Sequence, residues 1–249
     1  MKTILKVAVL PALLLALASA AYADSITLHS AAGSSTSDTN GALQYLGTSA
    51  LNGAFVANNY TPLVAGTIPG GSAPSYNVDS NGVWASAITG SSWVSNSADA
   101  GPSGNGSPGD GTVVDPNAFY YYETTFTAVG GTDPYDGSIS VMADDTAEVI
   151  LDAGTADQVV LVPFGIVGGD GHCAEYQPSC GGADTVSLSG ITLLAGTNTL
   201  TIIDAQTGLN GAGVDFTAEL TQAPEPSSLL LLGTGLLGLA GMLRRKLRA

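Results

Sequence analysis

The chemistry open to this 249-residue chain rests on few residue types. His29 and His172 are the only histidines, and neither sits in a motif. There is no G-x-S-x-G elbow and no H-E-x-x-H helix. Carboxylates are plentiful. Asp144, Asp145, Asp152 and Asp157 cluster in sequence, and Asp170 and Asp184 flank a later Gly-rich loop. Oxygen donors alone suit calcium, which takes about 6–8 of them. The spacing fits no EF-hand loop, and the competing reading is that these are turn aspartates bonding their own backbone. A pair of carboxylates could hydrolyse a glycosidic bond, but 20 carboxylates between the two ends of the chain single out no pair. Trp84, Trp93, Tyr120, Tyr121 and Tyr122 could offer a sugar flat apolar faces with polar tips. Aromatic residues inside strands also fill cores. Alternation along a strand sends neighbouring side chains to opposite faces, so Trp84, Trp93 and Tyr121 form the candidate ligand-binding set.

Charge excludes several functions. The chain has six Lys and Arg: Lys2, Lys6, Arg244, Arg245, Lys246 and Arg248. All lie near the termini. Residues 24–223 therefore hold no lysine or arginine and 20 of the 21 acidic residues, a formal charge of −20. Nucleic-acid binding by phosphate neutralisation is excluded for this region. So are bidentate capture of anions by arginine and a lysine nucleophile.

The two ends read as targeting segments. Lys2 and Lys6 precede an apolar stretch from Val7 to Ala18, and Ala21-Tyr22-Ala23 sets small residues before a cut between Ala23 and Asp24. This is a secretory signal peptide over 1–23, removed by signal peptidase. At the other end, Pro224-Glu225-Pro226 precedes an apolar run, 229–243, and then Arg244, Arg245 and Lys246. The run is expected to form a transmembrane helix. The basic cluster would stop it in the membrane with a cytoplasmic C-terminus. The three parts, in this order over 224–249, resemble the PEP-CTERM sorting signal. That resemblance implies recognition by a membrane-embedded exosortase that cuts near Pro-Glu-Pro. An ordinary C-terminal anchor would have the same topology.

An exported location bears on Cys173 and Cys180, spaced C-x6-C in the loop from Gly168 to Gly182. Two cysteines in an exported chain form a disulfide. A metal site with His172 would have too few ligands for a closed zinc centre.

Short β-rich runs separated by turn residues predict an all-β sandwich, jelly-roll-like, over 24–223. Strands are expected at 25–29, 118–128, 138–143, 147–151, 158–162, 185–188, 191–194, 199–204 and 214–220. Phe216, Ala218 and Leu220 alternate with Thr217, Glu219 and Thr221, as a half-buried strand requires. Leu200, Ile202 and Ile203 break alternation, as in a strand covered on both faces. The stretch 98–111 reads as a flexible Gly/Ser/Pro-rich insertion. Trp84, Ser91 to Ser95, Tyr120 to Phe126, Ala143 to Asp152 and Leu194 to Ile202 resemble the galactose-binding-like β-jelly-roll modules of bacterial surface proteins. That likeness transfers no ligand residue.

These features describe an exported cell-surface or extracellular-matrix protein, non-catalytic, with extracellular polysaccharide as the candidate ligand and calcium as the candidate cofactor. A secreted glycan hydrolase and a purely structural matrix protein are the alternatives. Like charges repel within the compact state, and salt screens them over about 10 Å at 0.1 M. The melting temperature of the purified protein should therefore rise with NaCl. A flat response in differential scanning calorimetry would contradict the repulsion argument.

Overall fold

The computed structural model describes residues 24–30, 39–51, 66–102, 115–130, 134–166, 173–174, 176–207, 211–222 and 226–247. Eleven strands are described: β1 (Ser25–His29), β2 (Thr39–Ser49), β3 (Ala73–Asn77), β4 (Val94–Ser95), β5 (Ala118–Ala128), β6 (Tyr135–Asp144), β7 (Thr146–Leu151), β8 (Val159–Val162), β9 (Asp184–Ile191), β10 (Gly196–Gln206) and β11 (Gly213–Gln222). Helix α1 (Pro226–Leu247) follows.

The strands join in one nearly closed sheet, in the order β8-β7-β10-β5-β2-β3-β4-β11-β6-β9, with β1 also on β11. All the pairings are antiparallel. The fold is therefore all-β, as expected. Instead of two separate sheets, one sheet turns over on itself through the short strands β3 and β4. The end strands β8 and β9 approach each other across the open seam.

Sequence alternation sets which side chains meet inside. Tyr120 and Tyr122 of β5, Val149 and Leu151 of β7, and Leu200 and Ile202 of β10 pack against Ile139 and Val141 of β6 and Val214 and Phe216 of β11. The opposite side of β5, β7 and β10 carries Phe119, Tyr121, Ile150, Ile203 and Ala205, which form a second cluster with Leu46. This is why Leu200, Ile202 and Ile203 do not alternate: β10 is covered on both faces. A third cluster sets Trp84 and Trp93 beside Val78, Met142 and Cys180.

Several expectations need correction. The separate strand expected at 191–194 does not form; β9 ends at Ile191, just past Gly190 at φ +71°. Strands β2, β3 and β4 were not expected from the sequence. β2 contains Gly41 and Gly47, and its register shifts where it pairs with β3 and β5. Most of the expected insertion at 98–111, the signal peptide 1–23, and Pro224 and Glu225 lie outside the described residues.

Pro226 opens α1, where its missing N–H costs no helical bond. Arg244, Arg245 and Lys246 close it, with their positive charge at the helix's negative end. The transmembrane run expected at 229–243 lies inside this 22-residue helix. Among the described residues, however, no helix is long and apolar enough to cross a membrane. Fifteen helical residues reach about 22 Å, short of a hydrocarbon core of about 30 Å.

Backbone approach in the β6–β11 pair leaves no room for a side chain at Gly137, where a Cβ would lie 1.9 Å from the Glu219 carbonyl oxygen. Gly137→Ala should therefore destabilise the domain by about 2–3 kcal/mol, as overpacking does. Chemical denaturation of the variant checks this, and an unchanged midpoint would mean that the strands can separate freely there.

Candidate functional site

Where the second cluster meets the surface, the sheet opens into a hollow of about 420 Å³. Its lining includes Ile150 of β7, Ile203 of β10 and Ile68 of the connection before β3. Polar groups border this apolar lining: Glu148, Gln158 and Thr67. Glycine backbone completes the wall at Gly66 and Gly154. A Cβ at Gly66 would come within 2.9 Å of Ser49 Oγ, so a larger residue there would displace that hydroxyl. Gln158 is held in place by the Gly154 amide, which donates to its Oε1 at 2.7 Å. Burial raises the Glu148 carboxyl above its usual range.

The aromatic candidates lie elsewhere. Trp84 and Trp93 are 3% and 1% exposed and pack on each other with ring centroids 4.4 Å apart. Both indole N–H groups are used internally, Trp84 Nε1 donating to Asp144 Oδ2 and Trp93 Nε1 to the Ala85 carbonyl. Tyr121 does face away from the main core, as alternation required, but it is fully covered and its hydroxyl pairs with Ser49 Oγ at 2.9 Å. None of the three offers a ring to solvent. Cys173 and Cys180 form a disulfide, which packs beside the tryptophans. His172 lies outside the described residues.

The aspartates separate into two groups. Asp152 and Asp157 belong to one turn. Asp152 Oδ1 accepts the Thr199 amide at 2.8 Å, its carbonyl accepts from Thr155, and the Asp157 amide donates to Thr155 Oγ1. Asp152 adopts φ +47°, a left-handed conformation that aspartate tolerates. The two lie in one turn of the chain. They shape the edge of the hollow that Gly154 and Gln158 line. Asp144 and Asp145 sit instead at the end of β6, both 1% exposed.

There they meet carboxylates that sequence reasoning had not singled out. The Asp145 amide donates to the Ala205 carbonyl, which brings it beside Asp204 of β10. Asp144 pairs in register with Gly213, whose backbone also bears on the Asp204 carboxylate. Burial, followed by the charge of Asp145, holds Asp144 well above the usual carboxylate range. Burial, then Asp145 and Asp115, do the same for Asp204. Asp115, bonded to Asn96 Nδ2, is pushed up to about 6, chiefly by burial. Asp215, at another buried position, is also raised by burial. The signal that could have identified Asp204 was its place inside a mostly apolar stretch, Leu200 to Ala205.

Comparison with known proteins places the PEP-CTERM protein-sorting motif at residues 222–246. No curated protein matches the chain. Among solved structures, the chain is similar to a GH26-CBM35 beta-(1,4)-mannanase from Podospora anserina, with 17% identity over 61% of this chain and a TM-score of 0.31. It spans 28% of that enzyme's length. A family 35 carbohydrate binding module from an environmental isolate is 17% identical over 46% of this chain and 77% of its own, with a TM-score of 0.24. An exo-beta-1,3-galactanase from Phanerochaete chrysosporium is 13% identical over 51% of this chain and 32% of its own, with a TM-score of 0.22. Likenesses of this size establish neither a shared site nor a shared ligand.

The buried carboxyls impose a pH dependence with a definite sign. An unfolded aspartate titrates near about 4, whereas folded Asp115 titrates at about 6. Folding thus favours the protonated form. The resulting stability is full below about 4 and is lost as pH rises through about 6. Asp144, Asp204 and Asp215 shift in the same direction. At constant ionic strength and with a chelator present, the melting temperature should fall between about pH 4 and pH 7. A rise over that window would show that the carboxyls are not buried.

Proposed function

We propose that this protein is exported, sorted by an exosortase and displayed at the cell surface or in the extracellular matrix, where its β domain binds a neutral carbohydrate without turning it over. The carrying observation is the sorting motif at 222–246, which begins at the last residue of β11. A folded domain followed at once by the signal leaves Pro224-Glu225-Pro226 beside the domain's last strand. Asp24, the first residue after the proposed signal-peptide cut, is bonded into the fold. Its carbonyl accepts the Gln222 amide at 2.8 Å, and its Oδ2 accepts the Tyr135 hydroxyl. Cleavage after Ala23 leaves those bonds in place. Helix α1 then acts as a short membrane-associated segment, with Arg244, Arg245 and Lys246 at the cytoplasmic side, until the exosortase cuts upstream of it.

The carbohydrate reading rests on the hollow. Isoleucines beside an amide, a hydroxyl and a carboxyl match the alternating C–H and O–H faces of a pyranose ring. With no lysine or arginine in residues 24–223, an anionic sugar would find no counter-charge. Of the residues lining the hollow, Glu148 alone carries a carboxyl. Glycoside hydrolysis uses two, so we favour binding over turnover.

Two experiments test this. In a host with an active exosortase, mass spectrometry of the mature protein should find the C-terminus near Pro224 to Pro226, and Glu225→Ala should retain the full tail. An intact Arg248-Ala249 on the wild-type protein would contradict sorting. On an array of neutral and acidic glycans, the protein should bind only neutral ones. Thr67→Trp, which fills the hollow, should weaken binding at least about tenfold, or about 1.4 kcal/mol. Undiminished binding by that variant would move the site elsewhere, and released product would favour the hydrolase.

A further inference from the structure

The first and last strands of the β domain are fastened to each other, and the fastening lies beside the proposed signal-peptide cut. Among the described strands, β1 pairs with β11 alone, from Ser25 opposite Thr221 to His29 opposite Thr217. Asp24 extends this seam by one residue. Its carbonyl accepts the Gln222 amide at 2.8 Å. Its Oδ2 accepts the Tyr135 hydroxyl at 2.7 Å and the Val129 amide at 3.2 Å. Gln222 is held from its other side as well. It pairs in register with Tyr135, and its Nε2 donates to the Gly130 carbonyl at 3.2 Å. Tyr135 is fully buried, so the core sets where its hydroxyl points. Further along β1, Ile26 is buried in the main cluster and Leu28 packs against it. Ser30, just past the strand, donates its amide to the Phe216 carbonyl and its hydroxyl to Asp215.

A peptidase takes its substrate as an extended segment whose backbone bonds the enzyme in place of its own fold. Cutting within folded structure therefore waits on local opening, and its rate follows the population of the open form. To free Asp24 and Ser25 for such a cleft, the domain must break the bonds to Gln222, Tyr135 and Val129 and lift the start of β1 off β11. The seam cannot form early. β11 is the last strand of the domain, so β1 has no partner until the chain has been made and exported as far as Gln222.

We propose, on the export and sorting reading above, that the Ala23–Asp24 bond is hydrolysed before β1 seats on β11, and that the Asp24 clasp then shuts that bond off from the peptidase. The folded domain is thus a product of the N-terminal cut and the substrate of the C-terminal one. In the first step water adds to the Ala23 carbonyl, Ala23 leaves as a carboxylate and Asp24 keeps a new α-amino group. That group, with an ordinary pKa of about 8, is protonated at neutral pH. Its charge falls in a region that has no lysine or arginine. The C-terminal cut meets no such block, because Pro224 lacks the N–H needed to prolong the β11 ladder. A precursor that folded first would keep both apolar segments, 7–18 and 229–243, at the same end of the domain.

The test uses the full-length precursor, refolded in non-ionic detergent, and purified signal peptidase. The folded precursor should be cut before Asp24 at least about tenfold more slowly than the same chain presented from urea. Tyr135→Phe and Gln222→Pro each remove one donor to Asp24 and leave residues 21–26 unchanged. Each should speed the cutting of the folded precursor about fivefold, as losing one hydrogen bond shifts the opening equilibrium, without changing the unfolded chain's rate. Mass spectrometry of the product gives the position of the cut. Equal rates for folded and unfolded precursor would overturn the proposal and leave export standing. Folded-state rates that neither variant moves would also overturn it, because the clasp would not be what protects the bond. No cut before Asp24 even in the unfolded chain would overturn it together with the export reading.

Discussion

With no lysine or arginine in residues 24–223, the domain cannot neutralise a buried carboxylate by an ordinary Lys or Arg ion pair. Each acidic side chain that the fold takes out of water must find hydrogen-bond donors, a proton or an external cation. This constraint organises the interior. Around Asp215, two serines and a backbone amide converge to meet it. At Asp152 the Thr199 amide does so, and the same bond stabilises a turn. At Asp145 the amide and hydroxyl of Thr207 do so, and at Asp144 the Trp84 indole, locked in place by Trp93, supplies one bond. Gly213 ties this end together. A Cβ there would meet the Trp84 ring at 2.8 Å, so the absence of a side chain lets the indole reach Asp144 over β11.

The same constraint limits what the surface can recognise. A strongly acidic domain stays dispersed and repels anionic polymers. Its hollow offers isoleucines and uncharged polar groups around one partly buried glutamate. The tryptophans and Tyr120, Tyr121 and Tyr122, which could have served as sugar platforms, are spent on the interior. Tyr120 and Tyr122 pack between the halves of the sheet, Tyr121 supports the floor near Ser49, and the tryptophans pack with the disulfide. The protein's lysines and arginines lie wholly in residues 2–6 and 244–248, outside the β domain.

Much of the fold was legible in local pattern. β1 and β5 fall where their β-branched and aromatic runs put them, and the clean alternation of β11 shows which of its faces is buried. The all-β class followed from those runs. The closure of the sheet did not, because it depends on β3 and β4, whose short segments APSYN and VS carry little pattern. β2 was obscured by Gly41 and Gly47, which suit a bulged strand but read locally as turns. Of the candidate metal ligands, Asp144 and Asp145 lie together at the end of β6, while Asp152 and Asp157 share a separate turn.

The account depends on carboxyl groups being buried without ionic partners, and this is directly measurable. Carbon-13 NMR of the aspartate carboxyls, followed by pH titration in chelator, resolves each group's protonation. Asp115 should show a midpoint at about 6, and Asp144 and Asp204 should stay protonated well above the usual carboxylate range. If every aspartate instead titrates near about 4, as in an unfolded chain, the domain buries no uncompensated carboxylate and the account is wrong.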